Sequence, residues 1–384
     1  MRADLPQAFE TFGEARRNGF LKVKDFKENG GRVAGIFCTY TPVEILDAAG
    51  IMPVSLCGMS PETIPAAETE LPRSLCPLIK SSYGFAITDK CPYTWFSDLI
   101  VGETTCDGKK KMYEMLGRRK ETYILHLPQG HADSEASLLW WTAELHRFRT
   151  YLEEKFGVTI TDDALRRAAR TRNRERQARR QLMEVMLPSP PPVYGEQIYK
   201  TMDGAGFIFD REETIGLLDG LREQILETAA ENGPAVPVSA KRILITGCPI
   251  GGVLGKTVGM IEKCGGVVVC FENCAGLKAA LDAVDADAPD IMEAIAARYL
   301  KIGCAVMTPD SRRMELLPKL IREYRADGVI EVDLQACTPY AIESDSVRRS
   351  VEEAGVPYMR LETDYGDADQ GQLQTRLEAF LEML

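Results

Sequence analysis

Residues 71–110, LPRSLCPLIKSSYGFAITDKCPYTWFSDLIVGETTCDGKK, decide how this chain is read. Cys76 precedes Pro77 and a run from Leu78 to Ile87 that can be helical, with proline at the first helical position. Cys76 then stands at a helix N-terminus, where partial positive charge favours a thiolate. Ser97 to Val101 (SDLIV) reads as a short buried strand, and residues 102–108 (GETTCDG), which carry Glu103 and Cys106, as the loop leaving its carboxyl end. Ligands of open parallel sheets bind at that edge. Cys76 and Cys106 are therefore expected to face one crevice from two neighbouring loops.

Working outward, the same alternation recurs. Residues 4–28 read as an amphipathic helix, and Arg32 to Phe37 as a strand that runs into Cys38-Thr39-Tyr40-Thr41-Pro42 and a helix from Val43 to Ala49. Met52 to Leu56 is a second strand ending at Cys57, and Thr122 to Leu127 a fourth. Strand alternating with helix predicts a doubly wound parallel sheet, and a strand order of 2-1-3-4 makes Cys38 the central thiol. Cys91 follows a helix of about ten to fifteen residues at ~1.5 Å each, which carries it to the opposite edge as a structural cysteine.

Residues 134–187 show no strand signal and read as helices bridging two domains; Pro188 to Pro192 break them, and further helices fill 194–231. Glu231 to Pro237 has a linker's composition. A second alternating unit follows. Arg242 to Thr246 is its first strand, leaving through Gly247-Cys248-Pro249; Gly266 to Cys270 is the next, leaving through Glu272-Asn273-Cys274. Cys304 lies on a later loop, Gly328 to Val332 exits into Ala336-Cys337-Thr338, and Tyr358 to Leu361 with a helix from Gln370 to Leu384 closes the chain. The expected architecture is α/β: a flavodoxin-like domain at 1–133, a helical bridge and linker at 134–235, and a second flavodoxin-like domain at 236–384.

Length and composition suit two globular domains, with 45% apolar and 27% charged residues. No apolar run approaches the roughly 18 to 20 residues of a membrane span, and residues 1–30 are too charged for a secretory signal, so the expectation is a cytoplasmic protein. With 46 basic and 57 acidic residues the net charge is -11, which repels nucleic acid. Residues 166–180, RRAARTRNRERQARR, dissent with eight arginines. They read either as a solvated helix face or as a docking surface for an acidic partner.

Eleven cysteines against three histidines is the main compositional oddity. An odd number without an export signal argues against a disulfide framework, and the absence of any CxxC pair disfavours a zinc ribbon or a local ferredoxin loop. Cys264 and Cys270, in apolar strand-like surroundings, read as small buried hydrophobes. Soft thiolates gathered from separate loops point to an iron–sulfur centre rather than zinc. Gly251-Gly-Val-Leu-Gly255-Lys256-Thr257 falls short of a phosphate loop, because GxxxxGK[ST] requires glycine where Ile250 stands. A loose phosphate or coenzyme contact at that helix start stays open.

CTYTPVEILDAAG at 38–50, LCPLIKSSYGFA at 75–86, VGETTCDGKKKMYE at 101–114, ENCAGLK at 272–278 and LQACTPYAIES with ETDYG resemble the 2-hydroxyacyl-CoA dehydratase superfamily over nearly the whole chain. The further cysteines in FCTYTP and TGCPIGG make it most similar to the double-cubane cluster proteins, homodimers that carry two cubanes joined by a sulfide (8Fe-9S). The resemblance implies that Cys76, Cys106 and Cys337 hold one 4Fe-4S cluster. It also implies that electrons arrive at very low potential from a separate iron–sulfur activator that hydrolyses ATP, with no nucleotide bound by this chain. Three further thiolates are needed for a double cubane, and Cys38, Cys248 and Cys274 are expected from topology, with Cys304 and then Cys57 as rivals. The implied activity is reduction of a small molecule at the cluster. One alternative is a dehydratase subunit with a single 4Fe-4S cluster; others are a non-catalytic electron carrier and, remotely, a zinc-binding structural protein. Protons accompany such electrons, and Glu103 and Tyr40 are the nearest candidate donors by sequence, with loop hydrogen bonding as their competing role. His131 reads as an exposed loop residue.

Overall fold

The computed structural model describes residues 8–384. Two four-stranded, all-parallel sheets carry the fold, each flanked by helices. In the first, strands β1 (Arg32–Ile36), β2 (Ile51–Ser55), β3 (Leu99–Glu103) and β4 (Thr122–Leu125) take the order β2-β1-β3-β4. In the second, β5 (Lys241–Gly247), β6 (Gly266–Phe271), β7 (Gly328–Leu334) and β8 (Tyr358–Thr363) repeat it as β6-β5-β7-β8. The 2-1-3-4 order expected for the first half holds there, the second half repeats it, and β1 and β5 are central strands that feed Cys38 and Cys248. Strand β3 runs beyond the expected Val101, because Gly102 pairs with Ile124 and Glu103 with Leu125. Glu103 is therefore a strand residue, not a loop residue. β7 is buried at every position, the pattern of a parallel strand covered on both faces.

Four long or medium helices bridge the sheets: Glu135–Phe156, Asp162–Glu184, Gly195–Gly204 and Arg211–Asn232. The helix expected at 4–28 spans Ala8–Glu28, and residues 4–7 lie outside the described residues. It packs on the bridge: a Cβ at Gly204 would come within 2.2 Å of the Phe12 carbonyl oxygen. No helix among the described residues is long and apolar enough to cross a membrane.

Of the arginine-rich stretch, Arg167, Arg170 and Arg174 are exposed, as a solvated helix face requires, but the other five arginines turn inward. Arg172 makes a two-pronged contact with Asp47 at 2.5 and 2.9 Å, and Arg176 pairs with Glu44, both acids lying on the short helix Val43–Ala48 of the first sheet. Arg166 donates to the carbonyls of Ala286 and Ala288, each at 2.7 Å, and Arg180 to that of Ala280 at 2.6 Å, all in the second half of the chain. The helix Asp162–Glu184 thus uses its guanidinium groups as inward staples between the halves. Periodicity alone hides this, since an arginine turned inward on an acid and one turned to water look alike in sequence.

Glu44 is fully buried and also accepts from the Tyr299 hydroxyl at 2.8 Å. Burial alone would raise its carboxyl, yet Arg176 and Arg298 hold it down at about 2. Removing one partner of a buried pair strands the other charge, so Arg176→Ala is expected to destabilise the protein by about 3 to 5 kcal/mol. The urea midpoint checks this, and Arg176→Met with Glu44→Leu should recover most of the loss.

Glu262 accepts from the backbone of Gly195 at 2.7 Å and of Val268 at 3.4 Å, yet burial pushes its carboxyl up to about 7. A raised folded value means that the folded state keeps a proton the unfolded chain releases. Its contribution is complete below the ordinary carboxylate range near 4.5 and is lost as pH rises to about 7. The Tm of Glu262→Gln should therefore gain on that of wild type between pH 5 and pH 7; parallel Tm profiles would contradict this.

Candidate metal centre at the facing sheet edges

The carboxyl ends of the two sheets face each other. Met59, beyond β2, lies against Gly251 and Gly252, beyond β5. Tyr40, beyond β1, donates its hydroxyl to the Ile302 carbonyl at 2.7 Å, close to Cys304 in sequence. Eight of the eleven free cysteines stand on loops or helix starts of this region, and no disulfide forms.

Cys76, Cys106 and Cys337 each cap a helix, at Pro77–Ile87, Asp107–Leu116 and Thr338–Glu353. Their sheet-edge positions follow from βα turns that place the residue after each strand or loop at a helix start. The Cys337 thiol is within hydrogen-bonding reach of both Cys76 and Cys248, which brings these three together from the two halves. Cys106 opens the adjoining helix, whose first turn lies on the flanks of Cys76: a Cβ at Gly108 would come within 2.6 Å of Ile79 Cδ1 and 3.1 Å of Leu75 Cδ1.

A second group forms around Cys38, Cys274 and Cys304: Cys38 lies close enough to the other two to feel their charge, and Cys274 close enough to feel that of Cys304. Cys304, the rival of Cys248 for the extra ligand set, belongs with Cys38 and Cys274, while Cys248 belongs with Cys76 and Cys337. Cys57 directs its Sγ to the Phe37 carbonyl at 3.2 Å.

Three cysteines lie elsewhere. Cys91 caps the short helix Pro92–Phe96 and accepts from the Thr94 N–H at 3.4 Å, a structural use. Cys270 is fully buried in β6. Cys264 departs from expectation: it ends the helix Val258–Lys263, half-buried, with Sγ 3.8 Å from Glu378 Oε1.

The thiols are costly to ionise in this setting. Cys76 is pushed up by its hydrogen bond with Cys337 and by burial, against the N–H groups of Leu78 and Ile79 at the helix start. The helix-terminus effect expected there is real in sign but smaller than the two opposing terms. Burial likewise raises Cys38 and Cys248 and takes Cys274 to about 11, with Lys109 beside Cys38 and Lys278 beside Cys274 pulling down. Lys109 donates to the Phe37 carbonyl at 3.1 Å; Lys278 reaches the Tyr340 hydroxyl at 2.9 Å and Glu272 at 3.3 Å. Tyr340 in turn lies 3.6 Å from Cys304.

Buried polar atoms without a partner occur around the same sheet edges. Among the described residues they include Glu103 Oε2, the hydroxyls of Thr105, Tyr113 and Tyr365, and both amide atoms of Asn273. Most such groups in proteins are satisfied, so donors and acceptors left unpaired beside the thiols mark a place for a further polar group. Glu103 is fully buried, its other oxygen accepts from Thr41 Oγ1, and burial takes its carboxyl up to about 7. Tyr40, the other sequence-selected proton donor, spends its hydroxyl on the clasp to Ile302. His131 is exposed.

No three side chains of His, Cys, Asp or Glu among the described residues close on one point as ligands of a single ion. A soft, all-sulfur donor set spread this widely fits a larger group bridged by inorganic sulfide better than it fits zinc. The GKT segment does not serve as a phosphate cradle. Its Lys256 is buried and tied to Asp369 at 2.8 Å and to the Gly366 carbonyl.

The model of the family described as 2-hydroxyglutaryl-CoA dehydratase, D-component, matches residues 38–384. The chain belongs to this family. Among its relatives, the Escherichia coli (strain K12) protein named "Putative dehydratase subunit YjiM" is 48% identical over 382 residues, covering 99% of both chains. The (R)-phenyllactyl-CoA dehydratase beta subunit of Clostridium sporogenes is 22% identical with 94% of each chain covered. The (R)-2-hydroxyglutaryl-CoA dehydratase subunit beta of Acidaminococcus fermentans is 23% identical with 98% of each covered. For a member of the dehydratase D-component family, the likeness thus runs over nearly the full length of the chain rather than over a local motif.

Proposed function

We propose that this family member is an iron–sulfur reductase component that accepts low-potential electrons from a separate ATP-hydrolysing iron–sulfur activator and passes them to a small molecule between the sheets. The observation that carries this reading is the convergence of buried and half-buried thiols from both halves into two groups. Cys76, Cys106 and Cys337, with Cys248 beside them, would hold one cubane; Cys38 and Cys274, with Cys304, would hold a second. When bound, the iron–sulfur group supplies one-electron reduction at low potential.

The chain's own residues supply the rest. Glu103 is the proton source, on the strength of its unpartnered Oε2 and its position at the end of β3. Tyr40 keeps the Cys38 and Cys304 loops in register. Lys109 and Lys278 offset the negative charge that the thiolates acquire. A homodimer would suit the double-cubane form.

A second reading, a dehydratase subunit with a single 4Fe-4S cluster, is favoured by the beta-subunit names of the more distant relatives. Anaerobic iron and sulfide quantitation separates the two: about eight irons per chain favour the reductase and about four the dehydratase.

Cys76→Ala, Cys106→Ala and Cys337→Ala should each lose much of the iron, and Cys38→Ala or Cys304→Ala roughly half. Wild-type iron in all five variants would sink the assignment. Glu103→Gln should keep the iron and lower substrate-dependent ATP turnover by about 10²-fold; full turnover at full iron content would leave the proton source elsewhere.

A further inference from the structure

Tyr365 follows β8 and is 5% exposed, and its hydroxyl is buried without a hydrogen-bond partner. Buried tyrosine hydroxyls normally find one, and leaving one unpaired costs about 1 to 3 kcal/mol. A phenylalanine would fill the same space without that penalty. The ring is also held in place. Gly252 makes the room: a Cβ there would come within 2.7 Å of Tyr365 Cε1, 2.8 Å of its Cδ1 and 2.5 Å of the Met59 carbonyl oxygen. Tyr365 thus lies against the loop that leaves Cys248, and the ionisable groups around it are Cys76, Cys57, Cys248 and Tyr199. Uncharged thiols are weak acceptors. Thiolate and sulfide sulfur have no proton to donate and accept well.

We propose that the Tyr365 hydroxyl donates a hydrogen bond to sulfur of the iron–sulfur group held on the Cys76, Cys248 and Cys337 side, and thereby sets its reduction potential. The inference rests on the functional reading above. Hydrogen bonds to cluster sulfurs favour the more negative, reduced state and so raise the potential. Tyr365 is the lever on this side of the site because Gly252 fixes where its ring lies.

The test uses the full chain loaded anaerobically, with iron per chain and the midpoint potential from an EPR-monitored redox titration as readouts. Tyr365→Phe should keep wild-type iron and shift the potential to a more negative value. Replacing Tyr365 by 3-fluorotyrosine keeps the shape, makes the phenol a stronger donor, and should shift the potential the other way. Wild-type iron with an unmoved potential in both proteins overturns the inference while leaving the functional reading intact. If Tyr365→Phe loses its iron, the 3-fluorotyrosine protein alone decides between these outcomes. A wild-type chain that binds no iron overturns the reading and this inference together.

Discussion

The arrangement depends on the buried pairing of Glu44 with Arg176 and Tyr299. Each parallel sheet leaves one edge of exposed strand ends and loops, and here each edge covers the other. Glu44 sits on the helix directly after the Cys38 loop, Arg176 on the bridging helix, and Tyr299 on the helix Ile291–Leu300 that leads to Cys304. One carboxylate therefore ties together three segments that are remote in the chain. Without it the loops bearing Cys38 and Cys304 would keep their local shapes and lose their mutual register, which the Tyr40 bond to Ile302 then refines.

That closure creates the chemistry as well as the shape. Bringing the edges together strips water from the thiols, and desolvation outweighs helix-start N–H groups at Cys76 and lysine charges at Cys38 and Cys274. The thiols consequently sit in a poorly solvated setting, beside Asn273, Thr105, Tyr113 and Tyr365 with unmet hydrogen bonds. On the proposed reading, taking up a metal would be coupled to proton release and would relieve both penalties at once.

Much of this was legible from local patterns. Short apolar runs alternating with helical ones pointed to both sheets and to the order of the first, and proline after Cys76 marked a helix start correctly. What stayed hidden was non-local. Cys304 follows no strand, so topology ranked it below Cys248, yet the closing of the halves seats it with Cys38. The arginines of 166–180 carry no mark in sequence of whether they meet water or buried acids, and a lone Tyr365 carries no sign that its hydroxyl lacks a partner. Glu103 was placed one element too late because pairing with Leu125 extends β3.

The mixed ancestry of each thiol group has a temporal side. One group draws Cys76 from the first half and Cys248 and Cys337 from the second; the other draws Cys38 from the first and Cys274 and Cys304 from the second. During synthesis neither set exists until the ribosome has passed residue 304 for one and residue 337 for the other. The nascent chain therefore travels through most of its translation with incomplete nests of sulfur, and on the proposed reading insertion of a cluster would follow the docking of the halves rather than accompany their individual folding.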